Sequence, residues 1–267
     1  MSKTDQTFIG VFDSGVGGLS VLKQLIEDFP NESFVYLGDT ARLPYGAKSK
    51  ETIRNYVLKN IEYLNSNYSL KAVVIACNSA SSVLEDLNLP VETLGVIESG
   101  VRAADMASLS KKVALWATRA TVSSGAYENQ ALKLGTKLQI VSTACPTLVS
   151  LVEEGEDDHP LFKPAFDFYF NKSRIEEDVD CLILGCTHFP FFKKKLKTFL
   201  TEKSLNITLI DAAKEVSNQL KTLVDSKTES KAPERLILVT DQATHFENFI
   251  TSKMPSDISF KVQKVDI

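Results

Sequence analysis

Short apolar, β-branched runs separated by helix-length segments predict an α/β chain built as two similar Rossmann-like, three-layer lobes with mainly parallel sheets. The runs read as continuous apolar blocks rather than alternations, as parallel strands buried on both faces do. The second observation is an approximate internal repeat. Val73-Val74-Ile75-Ala76-Cys77-Asn78-Ser79 is echoed 109 positions later by Leu182-Ile183-Leu184-Gly185-Cys186-Thr187-His188. Ile9-Gly10-Val11-Phe12-Asp13-Ser14 has a weaker echo in Val113-Ala114-Leu115-Trp116-Ala117-Thr118. The repeat predicts lobes related by a pseudo-twofold axis with a cleft between them.

In chain order, polar Met1–Thr7 leads directly into a strand over Phe8–Phe12, with no signal-peptide core or cleavage site. An amphipathic helix over Leu19–Asp28 and a strand over Phe34–Leu37 follow, then a long helix over Lys50–Asn65 and strands over Ala72–Ala76 and Thr93–Val96. A helix over Ser99–Ala107 opens the second series, with strands at Val113–Ala117, Lys137–Val141, Cys181–Leu184 and Ile207–Ile210 and a helix at Lys193–Leu200. A helix over Ala212–Val224 and strands over Leu236–Val239 and Ser259–Val262 close the series. The chain is expected to switch lobes near Val96–Gly100 and to return later. Residues 1–97 with 208–267 then form the first lobe and 98–207 the second, with no Gly/Ser/Pro linker at either boundary.

Composition excludes several classes. The 267 residues carry 30 Lys plus Arg against 34 Asp plus Glu, a net charge of −4. With no basic stripe, nucleic acid and anionic membrane are not expected partners; Lys193-Lys194-Lys195 with Lys197 reads as the exposed face of a helix. The longest apolar run, Ala72 to Cys77, is six residues, against the roughly 18 or more of a membrane span. Four cysteines, with no C-x-x-C pair and no export signal, point to reduced thiols in the cytoplasm. The ordinary role of such thiols is core packing.

Two of them depart from it. Cys77 and Cys186 each sit where a parallel strand ends and a helix begins, the edge at which open α/β sheets bind ligands. A helix N-terminus there also favours thiolate. Two thiols at equivalent places in facing lobes would approach a bound molecule from opposite sides, as inversion of a carbon centre by proton transfer requires. One base removes a proton from one face while an acid delivers one to the other, each worth about 10²–10⁴-fold, and coupled titration can keep the pair in opposite protonation states. Cys145 and Cys181 are expected to be structural.

Asp13 lies in the glycine-rich turn Asp13-Ser14-Gly15-Val16-Gly17-Gly18, which lacks the third glycine of a dinucleotide fingerprint. Asp39 sits about where a ribose-binding acid would lie, so NAD or FAD binding stands as a rival reading. A turn cap is the plainer role for Asp13. His188, two residues after Cys186, reads as a proton relay or a structural histidine. A metal site from Cys77, Cys186 and His188 would lack any close-spaced ligand pair. Asn78, Ser79 and Thr187 supply neutral donors at helix starts, where they would also serve as caps. Leu43-Pro44-Tyr45-Gly46 reads as a turn whose backbone can approach a ligand. Glu153 opens an acidic stretch, Glu153-Glu154-Gly155-Glu156-Asp157-Asp158, with the composition of a solvated loop.

Taken together and in order, these segments resemble the glutamate racemases, cofactor-independent amino-acid racemases of the bacterial cytoplasm. The resemblance is carried by Phe12-Asp13-Ser14-Gly15-Val16-Gly17-Gly18-Leu19, Gly38-Asp39-Thr40-Ala41-Arg42, Pro44-Tyr45-Gly46, Ala76-Cys77-Asn78-Ser79-Ala80-Ser81, Cys145-Pro146 with Leu151-Val152-Glu153, and Gly185-Cys186-Thr187-His188-Phe189-Pro190, with a fainter echo at Val239-Thr240-Asp241. It implies Cys77 and Cys186 as the acid/base pair, Asp13 assisting Cys77, and His188 and Glu153 assisting on the Cys186 side. It implies Asp13, Ser14, Tyr45, Gly46, Asn78, Ser79, Thr187 and His188 around the substrate. It further implies glutamate as substrate, no cofactor and no metal, supply of D-glutamate for peptidoglycan, and a homodimer.

The chain departs from that pattern at Ser79, where threonine is usual, at Ser99, where proline is usual, and at Trp116, which is bulkier than usual and bears on the shape of the cleft. The rival readings are an aspartate or hydantoin racemase of the same superfamily, a two-lobed amino-acid-binding protein without chemistry, and a Rossmann oxidoreductase.

Overall fold

The computed structural model describes residues 6–155, 159–173, 175, 178–224, 233–241 and 243–267. The first series of elements is β1 (Thr7–Asp13), α1 (Leu19–Asp28), β2 (Phe34–Gly38), α2 (Lys50–Asn67), β3 (Ser69–Ile75), α3 (Asn78–Ser81), β4 (Thr93–Gly95) and α4 (Val96–Ala107). The second is β5 (Lys112–Ala117), α5 (Arg119–Ser124), α6 (Ala126–Lys133), β6 (Gln139–Ala144), α7 (Pro146–Glu153), α8 (Phe162–Ser173), β7 (Cys181–Gly185), α9 (Lys193–Glu202) and β8 (Thr208–Ile210). The chain then continues through α10 (Ala213–Leu223), β9 (Arg235–Val239), α11 (Ala243–Lys253) and β10 (Lys261–Lys264).

Among the described residues the strands form two sheets, of order β10-β9-β2-β1-β3-β4 and β6-β5-β7-β8, and every pairing is parallel. The run β2-β1-β3-β4 and the run β6-β5-β7-β8 share one topology. The repeat read from the sequence therefore holds at the level of register. Phe12 pairs with Ile75 in the first sheet, and their sequence counterparts Trp116 and Leu184 pair in the second. Cys77 and Cys186 each lie two residues beyond those paired positions, Ile75 and Leu184, so topology carries both thiols to equivalent sheet edges.

Strand side chains alternate between cores, as the two-residue period requires. Ile9 and Val11 of β1, with Ala114 and Trp116 of β5, enter one core shared by the inner faces of both sheets. Phe8 and Phe12 pack outward with α2 residues Ile53, Val57, Ile61 and Leu64. Val113, Leu115 and Ala117 pack outward with α4 and α6 residues Val101, Tyr127 and Ala131. One core joining the two inner faces holds the lobes together beneath the cleft.

Three departures from expectation have physical reasons. Strand Lys137–Val141 lies instead at Gln139–Ala144, because β6 is an edge strand whose burial alternates and does not form an apolar run. The helices α5, α6, α7, α8 and α11 occupy stretches where the sequence reading set none; α5 is six residues of mostly Thr, Ser and Ala. Finally, the expected boundary at 208 assigns Thr208–Ile210 to the first lobe, whereas β8 pairs with β7 in the second sheet. The return to the first sheet is made by β9 and β10, on the β2 edge.

Trp116 does not shape the cleft. It is fully buried in the shared core, its indole N–H donating to Ser173 Oγ at 2.7 Å and its ring packed by Phe166 and Tyr169. Ser99, also buried, donates to Gln219 Oε1 at 2.8 Å and ties α4 to α10.

Candidate active site

The carboxyl ends of the two sheets meet at a cavity of about 220 Å³, which both Cys77 and Cys186 line. Ser14, Tyr45, Gly46, Asn78 and Ser79 reach it from the first lobe, and Glu153, Thr187 and His188 from the second. Of the expected site residues, Asp13 alone stands behind the wall, fully buried. Cys145 and Cys181 are buried elsewhere and do not line the cavity.

The lobes approach closely because glycines stand at the contacts. A Cβ on Gly17 would lie 2.4 Å from Thr187 Oγ1 and 2.6 Å from His188 Nδ1, and one on Gly46 would lie 2.6 Å from Thr118 Cβ. With no side chain at either place, each first-lobe loop rests directly on the second lobe.

On the first side, Cys77 Sγ is 3.7 Å from Ser14 Oγ. Behind it Asp13 accepts from Gly15 N–H at 2.9 Å and, across the lobes, from Thr187 Oγ1 at 3.1 Å. Burial raises the Asp13 pKa, outweighing the His188 charge and the Gly15 and Thr187 hydrogen bonds that would lower it. Burial likewise pushes the Cys77 thiol up to about 12, with the nearby Asp13 carboxylate adding to the push. Cys77 therefore rests as a thiol, and once deprotonated it is a strong base.

The second side is built differently. Cys186 Sγ is 3.7 Å from His188 Nδ1, and His188 Nε2 is 3.1 Å from Glu153 Oε1. Burial alone would lower the His188 pKa, but its hydrogen bonds to Cys186 and Glu153 and their charges carry it well above the ordinary value. With a partner at each ring nitrogen, the imidazolium can donate both ways. Glu153 is the exposed end of this array, its side chain 29% accessible. The remainder of the expected acidic stretch, residues 156–158, lies outside the described residues.

Asn78 is oriented by Tyr127, whose hydroxyl donates to Asn78 Oδ1 at 2.7 Å and leaves the amide N–H₂ available. Ser79 Oγ is 2.8 Å from Thr118 Oγ1, a second link between lobes. Tyr45 forms part of the wall, but its hydroxyl turns away and donates to Asp39. Asp39 is itself fully buried and also accepts from Arg42, Asn60 and Thr240, so no oxygen remains for a ribose. Among the described residues no group of three His, Cys, Asp or Glu side chains is placed to hold a metal ion, and no helix is long and apolar enough to cross a membrane.

The cavity also has lining residues that sequence reasoning missed, among them Thr118, Arg119, Pro146, Val149 and Ser150. One had a usable signal: Thr118 is the repeat counterpart of Ser14, and both line the cavity. Val149 and Ser150 lie on α7, a helix the sequence reading did not mark.

Comparison with known proteins relates the chain to one family and its fold. Residues 9–220 match the family model described as Asp/Glu/hydantoin racemase. A glutamate racemase of Sulfurihydrogenibium sp. (strain YO3AOP1) is 37% identical over 262 residues, 97% of each chain. Among solved structures, a glutamate racemase isoform from Bacillus anthracis superposes with a TM-score of 0.88 at 33% identity, and a glutamate racemase from Francisella tularensis in complex with D-glutamate with 0.84 at 31%; each covers 98% of both chains.

Proposed function

The chain belongs to the Asp/Glu/hydantoin racemase family, and from that premise we propose that it interconverts L- and D-glutamate by proton transfer at Cα between Cys77 and Cys186. The observation that carries this reading is the placement of two thiols, at register-equivalent strand ends of two sheets, on one cavity. The relative from Francisella tularensis, solved with D-glutamate, supports the substrate.

In this reading one cysteine acts as thiolate and removes the Cα proton, the S–H bond forming as the C–H bond breaks. The opposite cysteine, a thiol, delivers its proton to the other face of the carbanion. The two cysteines thus exchange protonation states with each inversion, and the starting enantiomer sets which acts as base. Burial and Asp13 keep Cys77 protonated, while the His188 ring stands beside Cys186 with Nδ1 3.7 Å from Sγ. Removing water from the cavity strengthens these interactions when substrate binds.

Asp13 assists at Cys77 from behind, and His188 with Glu153 assists at Cys186. Ser14, Asn78 and Ser79, with the Gly46 and Thr187 backbone, offer neutral donors to the two carboxylates, and Tyr45 contributes its ring to the wall. The reaction so drawn needs no cofactor. The resemblance further supports a cytoplasmic homodimer supplying D-glutamate to peptidoglycan, with each lobe comprising one of the two sheets.

Incubation of L- and D-glutamate separately in D₂O, followed by optical rotation and Cα deuteration, tests the proposal. Loss of rotation with solvent deuterium in the inverted product is expected from either enantiomer. Absence of exchange from both refutes it, and faster inversion of L-aspartate assigns the site to that substrate instead.

A further inference from the structure

The fainter signature at Val239-Thr240-Asp241 has no part in the chemistry above, yet it meets the substrate loop directly. Thr240 directly follows β9 and comes to residues 39–41 across about 200 positions of sequence. Its hydroxyl accepts from Ala41 N–H at 2.9 Å and donates to Asp39 Oδ1 at 3.0 Å. Next to it, Asp241 N–H donates to Thr40 Oγ1 at 2.7 Å, while the Thr40 hydroxyl returns a hydrogen bond to Asp241 O. Asp39 passes the constraint forward. It takes the Tyr45 hydroxyl on one oxygen, beside Asn60 Nδ2 at 3.2 Å, and Arg42 Nε on the other at 2.8 Å. Beyond Tyr45 stands Gly46, which lines the cavity and rests on Thr118 of the other lobe.

We infer that Thr240 is a positioning residue: with Asp39 it clamps residues 40–46 so that Tyr45 and Gly46 stand at the substrate, making β9 part of the catalytic apparatus. The inference rests on the proposed racemase reading for its meaning in turnover. The family match ends at residue 220, so Thr240 lies beyond it. An apolar isostere cannot replace the hydroxyl, because it pairs a part-buried N–H and a buried carboxylate at once. Loss of either lets the loop drift, and displacement of about 1 Å at such a wall can cost up to ~10²-fold in rate.

The experiment compares Thr240→Val and Thr240→Ser in the full chain, with Val262→Ala on β10 as a destabilised control whose partly buried side chain packs against the core. For Thr240→Val, kcat/KM for both enantiomers is expected to fall about tenfold, most of it in KM, and Thr240→Ser to restore it within about twofold. Val262→Ala should lower the melting temperature and leave KM unchanged. A second readout is hydrogen exchange of the peptide spanning 40–47, which should accelerate in Thr240→Val and recover in Thr240→Ser whether or not the protein racemises glutamate. An inactive wild type with that exchange response refutes the racemase reading and retains the clamp. Should Thr240→Val not fold, Thr40→Val against Thr40→Ser tests the same clamp from the loop side. Unchanged KM and unchanged exchange overturn the inference, as does a loss of kcat/KM that merely follows melting temperature across all variants.

Discussion

The hydroxyl of Thr187 donates to Asp13 Oδ1 at 3.1 Å, joining the residue after one cysteine to the buried acid behind the other. Ser20 Oγ holds the Thr187 carbonyl at 3.1 Å, so the same residue is bound to the first lobe twice. The two halves of the site are thus coupled by direct bonds. Thr187→Val should retain both thiols yet lower kcat by about tenfold or more, since an unpaired buried carboxylate oxygen costs roughly 1–3 kcal/mol. Steady-state kinetics with both enantiomers checks this, and an unchanged kcat would show the bond to be incidental.

Cys77→Ser and Cys186→Ser should each lose at least ~10³-fold in racemisation, because a serine hydroxyl is a far weaker acid than a thiol and general acid–base groups are worth about 10²–10⁴ apiece. Polarimetry measures the loss. A double variant that still inverts glutamate would contradict the assignment of both thiols.

The pH dependence has a defined sign. His188 has a raised pKa, through Cys186 and Glu153, so its imidazolium persists above the ordinary histidine range and is lost as pH rises through the folded value. Activity that depends on this cation should fall on that alkaline limb. In Glu153→Gln one of the raising charges is gone, and the alkaline limb of kcat/KM should move to lower pH. A limb that stays in place would detach Glu153 from the relay.

Gly17→Ala should be far more harmful than a surface glycine change. The new Cβ would lie 2.4 Å from Thr187 Oγ1 and 2.6 Å from His188 Nδ1, both on the opposite lobe. Loss of about tenfold or more in kcat/KM is expected from the displaced imidazole, with circular dichroism showing the fold intact. Full activity would mean the loops can part without cost.

Asp180 governs acid stability away from the site. Burial would raise its pKa, but hydrogen bonds from Ser108 Oγ at 2.6 Å and the Leu109 and Ser110 amides at 2.7 and 2.8 Å bring it down to about 2. A depressed carboxylate contributes stability above its unfolded value of about 3.9, and that contribution is lost as pH falls toward 2. Asp180→Asn should cost about 1–2 kcal/mol at pH 7. The gap from wild type, read from urea midpoints, should narrow between pH 4 and pH 2.

How much of this was legible depended on the range of the interactions. Strands such as β1, β3, β5 and β7 lie inside their sheets and are readable as unbroken apolar runs, whereas edge strand β6 was displaced because one face meets solvent. The cysteines stood out because the repeat put them in register; Thr118 was available from the same alignment with Ser14. The Trp116 departure looked like a change in the cleft, but its position alternates with Leu115 and Ala117, so it faces the shared core. No local pattern could have revealed Asp39 meeting Thr240, since that contact exists only where β9 docks against β2.

The discontinuous first sheet also has a temporal consequence. Ribosomes deliver residues in order, and domains generally fold as units during synthesis. The second sheet has all of its described strands by Ile210, while β2 still waits for β9. Until Thr240 emerges, the loop bearing Gly46 lacks its ties to the end of β9. A nascent chain can therefore hold both thiols in place before the loop bearing Gly46 is clamped, and the site is complete only when its late strands dock.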